Sequence, residues 1–514
     1  MKNNALNTKW LKGFISNLLE KKSIDEVVET AKKSELKKTL SAFDLIILGI
    51  GAVVGTGIFT IIGSAIVGGP EGAGAGPAII LSMVLAAIAS IFSALCYSEI
   101  AAMIPIAGSA YTYTYVTMGE FMAWLVGWIL MLEYAIGNIT IASAWSGYFA
   151  QFLKGFKHVL PDFITTFPIW LRNDYRSISI MCDKYGFDVH DKVPFLFDKI
   201  PFAINLPAIF IVVLLTLILV KGVRESTRFA GVMVAINLFI ISTFIVVGAN
   251  YVQPENWTPF MSNGFSGVVM GAFLIFFAYI GFDAISTTAE ETKNPQKDIP
   301  IGILGTLCIC TVLYIGVALV LTGMVPYKFI DIQAPIAHAM HHVGKDWFAG
   351  FISAGAIAGL TSVLLVYQLG TVRILYAMSR DKFLPRNLRA VNRKTRVPNL
   401  LTWVCGLVVI IGSLFMDLNI SAELCNFGTF TSFIIICIIV LILRKTDPDR
   451  KRPFKVPFVP LFPILGIVFC GGLILFSLKT LKTSSVLFPI WIIIGVAIYF
   501  IYGYRAHRNK NQKR

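Results

Sequence analysis

The chain has 514 residues, of which 56% are hydrophobic and only 14% charged, with a mean hydropathy of +0.74. So apolar a composition at this length excludes a soluble protein of several domains and marks a polytopic membrane protein. The net charge of +15 raises the question of nucleic acid, and the placement of the basic residues answers it below.

Taken in chain order, residues 1–40 are rich in Lys and Glu with weak helical periodicity, which predicts a cytoplasmic amphipathic segment on the membrane surface and no cleavable signal. Stretches of about 18 or more mostly apolar residues then predict twelve spans. They lie at roughly 41–66, 77–102, 120–152, 204–221, 229–249, 265–289, 300–325, 347–378, 399–417, 421–443, 457–478 and 485–504. The third and eighth are long and expected to tilt. The longest connection, 155–203, mixes Asp with Lys, Arg and aromatics and reads as a partly ordered outer cap. Residues 505–514 form a basic cytoplasmic tail.

With Met1 placed in the cytoplasm, the inner segments hold 32 of the 44 Lys and Arg, the outer segments 11, and Arg373 lies within a span. That asymmetry is the positive-inside pattern, with both termini cytoplasmic, and it accounts for the charge without nucleic acid.

Two spans are interrupted where a membrane helix should be most regular. In Gly49-Ile50-Gly51-Ala52-Val53-Val54-Gly55-Thr56-Gly57-Ile58-Phe59, four glycines fall within nine residues, and each weakens a helix by roughly 1 kcal/mol relative to alanine. The second interruption is Phe276-Phe277-Ala278-Tyr279-Ile280-Gly281-Phe282-Asp283. Backbone exposed within hydrocarbon is tolerated only beside a protein-lined cavity. The interrupted spans are the first and the sixth. Because the offset between them is an odd number of spans, the second unit enters from the opposite side, giving two inverted repeats of five helices, 41–249 and 265–443, followed by a peripheral pair, 457–504.

Several segments carry a family resemblance. Ser41-Ala42-Phe43-Asp44 through Phe59, Tyr97-Ser98-Glu99-Ile100-Ala101, and Pro105 followed by Gly108-Ser109-Ala110-Tyr111 and Tyr113 resemble the amino acid–polyamine–organocation superfamily. Glu133-Tyr134-Ala135-Ile136-Gly137 with Ala144-Trp145-Ser146, Gly281 through Pro300, and Arg373-Ile374-Leu375-Tyr376-Ala377-Met378 narrow it to the cationic amino acid transporter family in its bacterial twelve-span form. The resemblance runs from about residue 38 to about 505. It implies an all-α membrane fold in which helices 1, 2, 6 and 7 form a moving bundle.

An amino acid presents a carboxylate and an ammonium at fixed spacing, and a broken helix offers partners for both: free amides at a positive dipole end and unpaired carbonyls. By resemblance, Gly55, Thr56 and Gly57 would bind the carboxylate. Val53, Phe277, Ala278 and Ile280 would turn carbonyls to the amine, with the Phe277 ring as an aromatic gate. Glu133, an ionisable group inside a span, is a functional candidate by default; its readings are a structural hydrogen bond to a broken helix or a counter-charge near the side chain of a basic substrate. Aligning Gly222-Val223-Arg224-Glu225-Ser226 with the family pattern puts Asn237 where many bacterial relatives have a proton-carrying lysine. An amide does not titrate, so lysine-based proton coupling is not expected. Thr361 and Ser362 could supply oxygens to the same place, or bond their own helix backbone. Tyr367 is expected to face and shorten the pocket, which favours small or medium neutral amino acids over arginine. Asp44, Glu99, Asp283, Glu290, Glu291, Arg373 and Asp381 are expected near the inner helix ends, either as a solvated rim or as an inner gate of breakable ion pairs.

Catalysis is not indicated. The six histidines lack metal-ligand spacing, so no metal is expected, and no Walker-type loop suggests ATP-driven transport. Seven of the eight cysteines fall in apolar spans, and Cys182, in the outer segment, reads as a plain loop residue or an intersubunit partner. The expected protein is thus a secondary amino acid transporter of the cell membrane. It works by alternating access on a small-molecule substrate within the lipid bilayer and needs no cofactor; proton coupling, sodium coupling, exchange and facilitation all stay open. The alternative is an amino acid sensor on the same fold that binds without transport.

Overall fold

The computed structural model describes residues 18–25, 27, 29, 38, 40–69, 72–106, 108–154, 161, 165, 168–196, 200–221, 223–392, 395 and 397–504. Most of the amphipathic segment 1–40, parts of the cap 155–203 and all of the tail 505–514 therefore lie outside the described residues.

The fold is nearly all helical. In chain order it comprises α1 (Ala42–Val53), a π turn (Gly57–Ile61), α2 (Ile62–Val67), α3 (Ile79–Met103), α4 (Ser109–Met118), α5 (Glu120–Lys154), α6 (Tyr175–Tyr185), α7 (Leu206–Lys221) and α8 (Val223–Gly248). Then come α9 (Gly264–Ile275), two 3-10 runs (Phe276–Tyr279 and Phe282–Glu291), α10 (Pro295–Met324), α11 (Pro335–His342), α12 (Asp346–Arg380), α13 (Asn399–Phe415), α14 (Leu418–Thr446), α15 (Leu461–Thr480) and α16 (Lys482–Ile498). Two short antiparallel pairs, Gly68–Gly69 with Gly72–Ala73 and Phe195–Leu196 with Ile200–Pro201, close turns between helices.

Local chemistry sets the ends. Ser41 caps α1 in a reciprocal box: its backbone N–H donates to Asp44 Oδ2 at 2.8 Å, while the Asp44 N–H donates to Ser41 Oγ at 3.4 Å. Pro295 opens α10 at a position where its missing N–H costs nothing. Asp417 caps α14, accepting from the amides of Asn419 and Ile420 at 2.9 Å each.

Among the described residues, nine helical runs are long and apolar enough to cross a membrane, and α1 with α2 makes a tenth, bent by 42°. Two further apolar helices, α7 and α13, have 16 and 17 residues, about 24–26 Å of rise against a hydrocarbon core of about 30 Å. All lie where the sequence predicts apolar stretches. Burial ranks them: 94% of the most apolar stretch of Gly264–Glu291 and 83% of that in α5 is buried, against 17% in Lys482–Gly503. The broken run Gly264–Glu291 is therefore central and the last of these runs peripheral. Helix α5 packs mainly on α12 and α14, whereas α10 packs on α1 and α3, and α9 on α3.

Three features lay beyond the sequence reading. Residues 282–291 continue the run that begins at Gly264 as a 3-10 helix. Cys182 sits on α6, buried with Ile178 and Val193 in a small satellite core, so it is a packing residue of a helix and not a plain loop residue. Leu40, just before α1, pairs with Thr292: the Leu40 N–H donates to the Glu291 carbonyl at 3.0 Å and the Lys293 N–H to the Leu40 carbonyl at 2.9 Å.

Candidate functional site

The first break begins where α1 makes its last regular bond, Val54 N–H to the Ile50 carbonyl at 2.8 Å. Helical bonding resumes with Ile58 and Phe59 donating to the Gly55 carbonyl at 3.2 and 3.1 Å. Between these points the amides of Gly55, Thr56 and Gly57 donate to no backbone carbonyl among the described residues. They form the open N-terminal end of the second half-helix, where a carboxylate is favoured. The Thr56 and Thr60 hydroxyls beside them are buried and without a partner among the described residues.

The second break passes through Ile280 in extended conformation and Gly281 at φ 115°, a value that favours glycine. The two breaks cross in direct contact. A Cβ on Gly57 would stand 2.2 Å from the Ala278 Cα, and one on Gly281 would stand 2.8 Å from the Ala52 carbonyl oxygen. Helix α12 closes on the same place, since a Cβ on Gly55 would meet Val363 Cγ2 at 2.6 Å.

The carbonyls freed by the breaks are held from outside. The Tyr314 hydroxyl of α10 lies 3.0 Å from the Val53 carbonyl oxygen and 2.9 Å from that of Ala278. With a single proton it donates to one at a time. Two of the carbonyls assigned to the amine by resemblance thus share one hydroxyl, which an ammonium with three donors could replace. Asn237 on α8 donates from Nδ2 to the Val54 carbonyl at 2.8 Å, and its Oδ1 is buried without a partner among the described residues. Tyr148 on α5 donates to the Phe59 carbonyl at 2.5 Å. Phe277 is buried within the second break.

Thr361 and Ser362, adjacent on α12, part company. Thr361 Oγ1 donates to its own helix at the Ile357 carbonyl, 2.6 Å, and accepts from Trp145 Nε1 at 2.9 Å. Ser362 Oγ is buried without a partner among the described residues and lies 3.6 Å from where a Gly51 Cβ would stand. Tyr367 packs on Gly137 of α5, at 2.7 Å from a notional Cβ there, with its ring centroid 5.3 Å from that of Tyr134. Tyr134 in turn donates to Asp283 Oδ2 at 2.7 Å. Glu133 is buried one residue away, and its carbonyl accepts from Cys425 Sγ at 3.2 Å.

The charged residues expected at the rim take different partners. Arg373 pairs with Glu291 at 3.5 Å and reaches the Thr287 hydroxyl at 3.5 Å, while Asp44 serves the cap of α1. Asp381 accepts from Tyr111 at 2.7 Å and pairs with Lys22 at 2.6 Å. Glu99 is buried beneath a different pair of cations, taking Arg444 at 2.9 and 2.7 Å, Arg452 at 3.3 Å and the Val456 amide at 2.7 Å. Nearby, the Arg450 guanidinium hydrogen-bonds Asp25 and holds its carboxyl below the usual carboxylate range. At the opposite end, a cavity of about 280 Å³ is lined by Ser64, Arg176, Met270, Asp417, Asn419 and Glu423. There Arg176 pairs with Asp417 at 2.7 Å, and burial raises the Asp417 carboxyl.

Sequence reasoning missed Tyr314, Tyr148 and Tyr134, because a tyrosine in an apolar span gives no sign of which carbonyl or carboxylate its hydroxyl will meet. It also missed Arg444 and Arg452, which lie about 350 positions from the acid they cover.

Comparison with known proteins identifies the family of the chain. Residues 40–498 match the family model described as amino acid permease. The chain is 43% identical over 498 residues to the methylthioribose transporter of Bacillus subtilis (strain 168), covering 97% of this chain and 100% of that protein. It is 41% identical over 499 residues to the branched-chain amino acid permease BcaP of the same organism, covering 96% and 99%. Against the vacuolar cationic amino acid transporter 4 of Arabidopsis thaliana the identity is 33% over 446 residues, covering 85% and 68%.

Proposed function

The chain belongs to the amino acid permease family and is an amino acid permease, and from that premise we propose that it carries a small or medium neutral L-amino acid across the cell membrane by alternating access about the crossed breaks. The observation that carries this reading is the contact of Gly57 with Ala278. It brings three undonated amides and two shared carbonyls to one place, the pairing that an amino acid carboxylate and ammonium require.

In this reading the chain crosses twelve times with both termini in the cytoplasm. The units 41–249 and 265–443 are inverted repeats, and 457–504 is a peripheral pair. The substrate carboxylate lies on the amides of Gly55, Thr56 and Gly57. Its ammonium displaces the Tyr314 hydroxyl from Val53 and Ala278, with the Phe277 and Ile280 carbonyls nearby. Phe277 gates the site, and Arg373 with Glu291 closes the inner end. Tyr367, wedged on Gly137, takes room that a long cationic side chain would need, which agrees with a branched-chain permease among the relatives. Those relatives are transporters rather than enzymes or sensors, so neither of the other classes is favoured.

The test is uptake by proteoliposomes of radiolabelled L-leucine, L-valine, L-alanine, L-arginine and methylthioribose, with pH and sodium gradients imposed separately. Saturable uptake of a neutral amino acid is expected. Efficient arginine uptake would overturn the substrate class, methylthioribose uptake alone would move it to that relative's cargo, and ligand-induced thermal shift without any flux would restore the sensor.

A further inference from the structure

At the outer end of the proposed permease, a cavity of about 280 Å³ lies among the half-helix α2, helix α9, the start of α14 and the cap helix α6. Ligand pockets begin at about 300 Å³, so it is of a size for one small molecule. It stands one to two helical turns from the crossed breaks. Ser64 on its wall is seven residues beyond Gly57, and Leu274 is four residues before Ala278, about 10 and 6 Å along their helices at about 1.5 Å per residue. Both half-helices are tied to α14 here. Ser64 Oγ donates to Asn419 Oδ1 at 2.9 Å, and Asn426 Nδ2, two turns further along α14, donates to the Phe273 carbonyl at 2.7 Å.

The polar groups of the cavity are not all spent on one another. Asp417 is spent: Oδ1 takes the amides of Asn419 and Ile420 at 2.9 Å each, and Oδ2 meets Arg176 Nε at 2.7 Å. Arg176 is not. Its side chain is half exposed, and its two terminal nitrogens hydrogen-bond no acceptor among the described residues. A guanidinium held by one nitrogen presents the rest of its fork, and a carboxylate is the acceptor that fits such a fork with two parallel bonds. Glu423 lines the same cavity one turn along α14 from Asn419, is 7% exposed and accepts from the Ser484 hydroxyl. A carboxylate takes more than one donor. Met270, Leu274 and Ile420 supply an apolar wall. A cationic fork, a buried acid and an apolar wall around one small cavity complement a neutral amino acid, whereas an uncharged sugar brings nothing that the fork requires.

We propose that this cavity is a second, outer binding site for the transported amino acid, filled before the crossed breaks are reached. The proposal rests on the reading of the chain as a neutral amino acid permease. The carboxylate lies on the terminal nitrogens of Arg176, the ammonium is turned to Glu423, and the side chain rests on Met270 and Leu274. Passage inward then requires the Ser64–Asn419 and Asn426–Phe273 bonds to part, and each of them joins one half-helix to α14.

The experiment is equilibrium binding of radiolabelled L-leucine, L-valine and L-alanine to the purified full chain, with uptake by proteoliposomes measured beside it. Wild type should bind two molecules per chain. Arg176→Gln should weaken one of the two sites by at least about tenfold, the loss of one hydrogen bond to a charged group. Ser179→Trp fills the cavity from α6 and removes no charge; it should abolish that site while the other persists. In uptake, both variants should raise KM more than they lower kcat. One molecule bound per wild-type chain, with uptake intact, overturns the proposal and leaves the permease reading standing, and so do two sites that persist in both variants. If no neutral amino acid binds or enters, the neutral-substrate reading fails and the outer site falls with it, an outcome set apart by the loss of all neutral amino acid flux.

Discussion

Replacing Gly57 with Ala tests whether the crossing of the two breaks makes the site. The new Cβ would lie 2.2 Å from the Ala278 Cα, 2.3 Å from its Cβ and 2.7 Å from its amide nitrogen. Carbon atoms rest at about 3.5–4.0 Å, so the breaks would have to separate by roughly 1.3–1.8 Å. The obstacle is largely backbone, with no flexible side chain to turn aside. Overpacking of this kind costs about 1–3 kcal/mol, equivalent to about 5- to 150-fold in an equilibrium constant. Initial uptake rates over a range of substrate concentrations, with thermal unfolding in detergent, provide the assay. Gly57→Ala should lower uptake at least fivefold at subsaturating substrate and lower the unfolding temperature. Gly471→Ala on α15, where a Cβ meets nothing within 4 Å, should change neither. Wild-type uptake and stability in Gly57→Ala would refute the crossing as the basis of the site.

Tyr314→Phe removes the hydroxyl shared by the Val53 and Ala278 carbonyls and should cost about 1–3 kcal/mol of stability; an unchanged unfolding midpoint would show that those carbonyls have other partners. Tyr367→Ser should open the space on Gly137 and let L-arginine compete for uptake, and competition unchanged from wild type would contradict Tyr367 as the limit on substrate length. Arg444→Met leaves buried Glu99, among the described residues, with only Arg452 and the Val456 amide, and a loss near 3 kcal/mol, the low end for a broken buried pair, is expected in thermal unfolding. Arg373→Ala frees Glu291 and should raise the labelling of an introduced inner-face cysteine; labelling and uptake both at wild-type levels would remove the inner gate.

Much of this architecture was legible because hydrocarbon is a demanding solvent. Apolar length alone located the helices, including α5 over 120–154 where the sequence predicted 120–152. The glycines of the first break and Gly281 of the second located the crossing. What escaped was chemistry between distant positions. Glu99 reads identically whether it faces solvent or Arg444, and Asp381 gives no hint of Tyr111 or Lys22. The 3-10 continuation at 282–291 was hidden because Ser286, Thr287 and Thr288 each donate to the carbonyl three residues back, an arrangement that emerges only once the backbone has tightened. Cys182 looked like loop because α6 is short and its apolar face meets only a small local core.

The pairing of Leu40 with Thr292 has a kinetic consequence. By stitching the chain ahead of α1 to the end of the 3-10 run, it joins the roots of the two half-helices through their backbones. If alternating access swings them, a substitution at the root of either should change the opening rate of both by the same factor, the outcome expected of one lever and not of two independent doors.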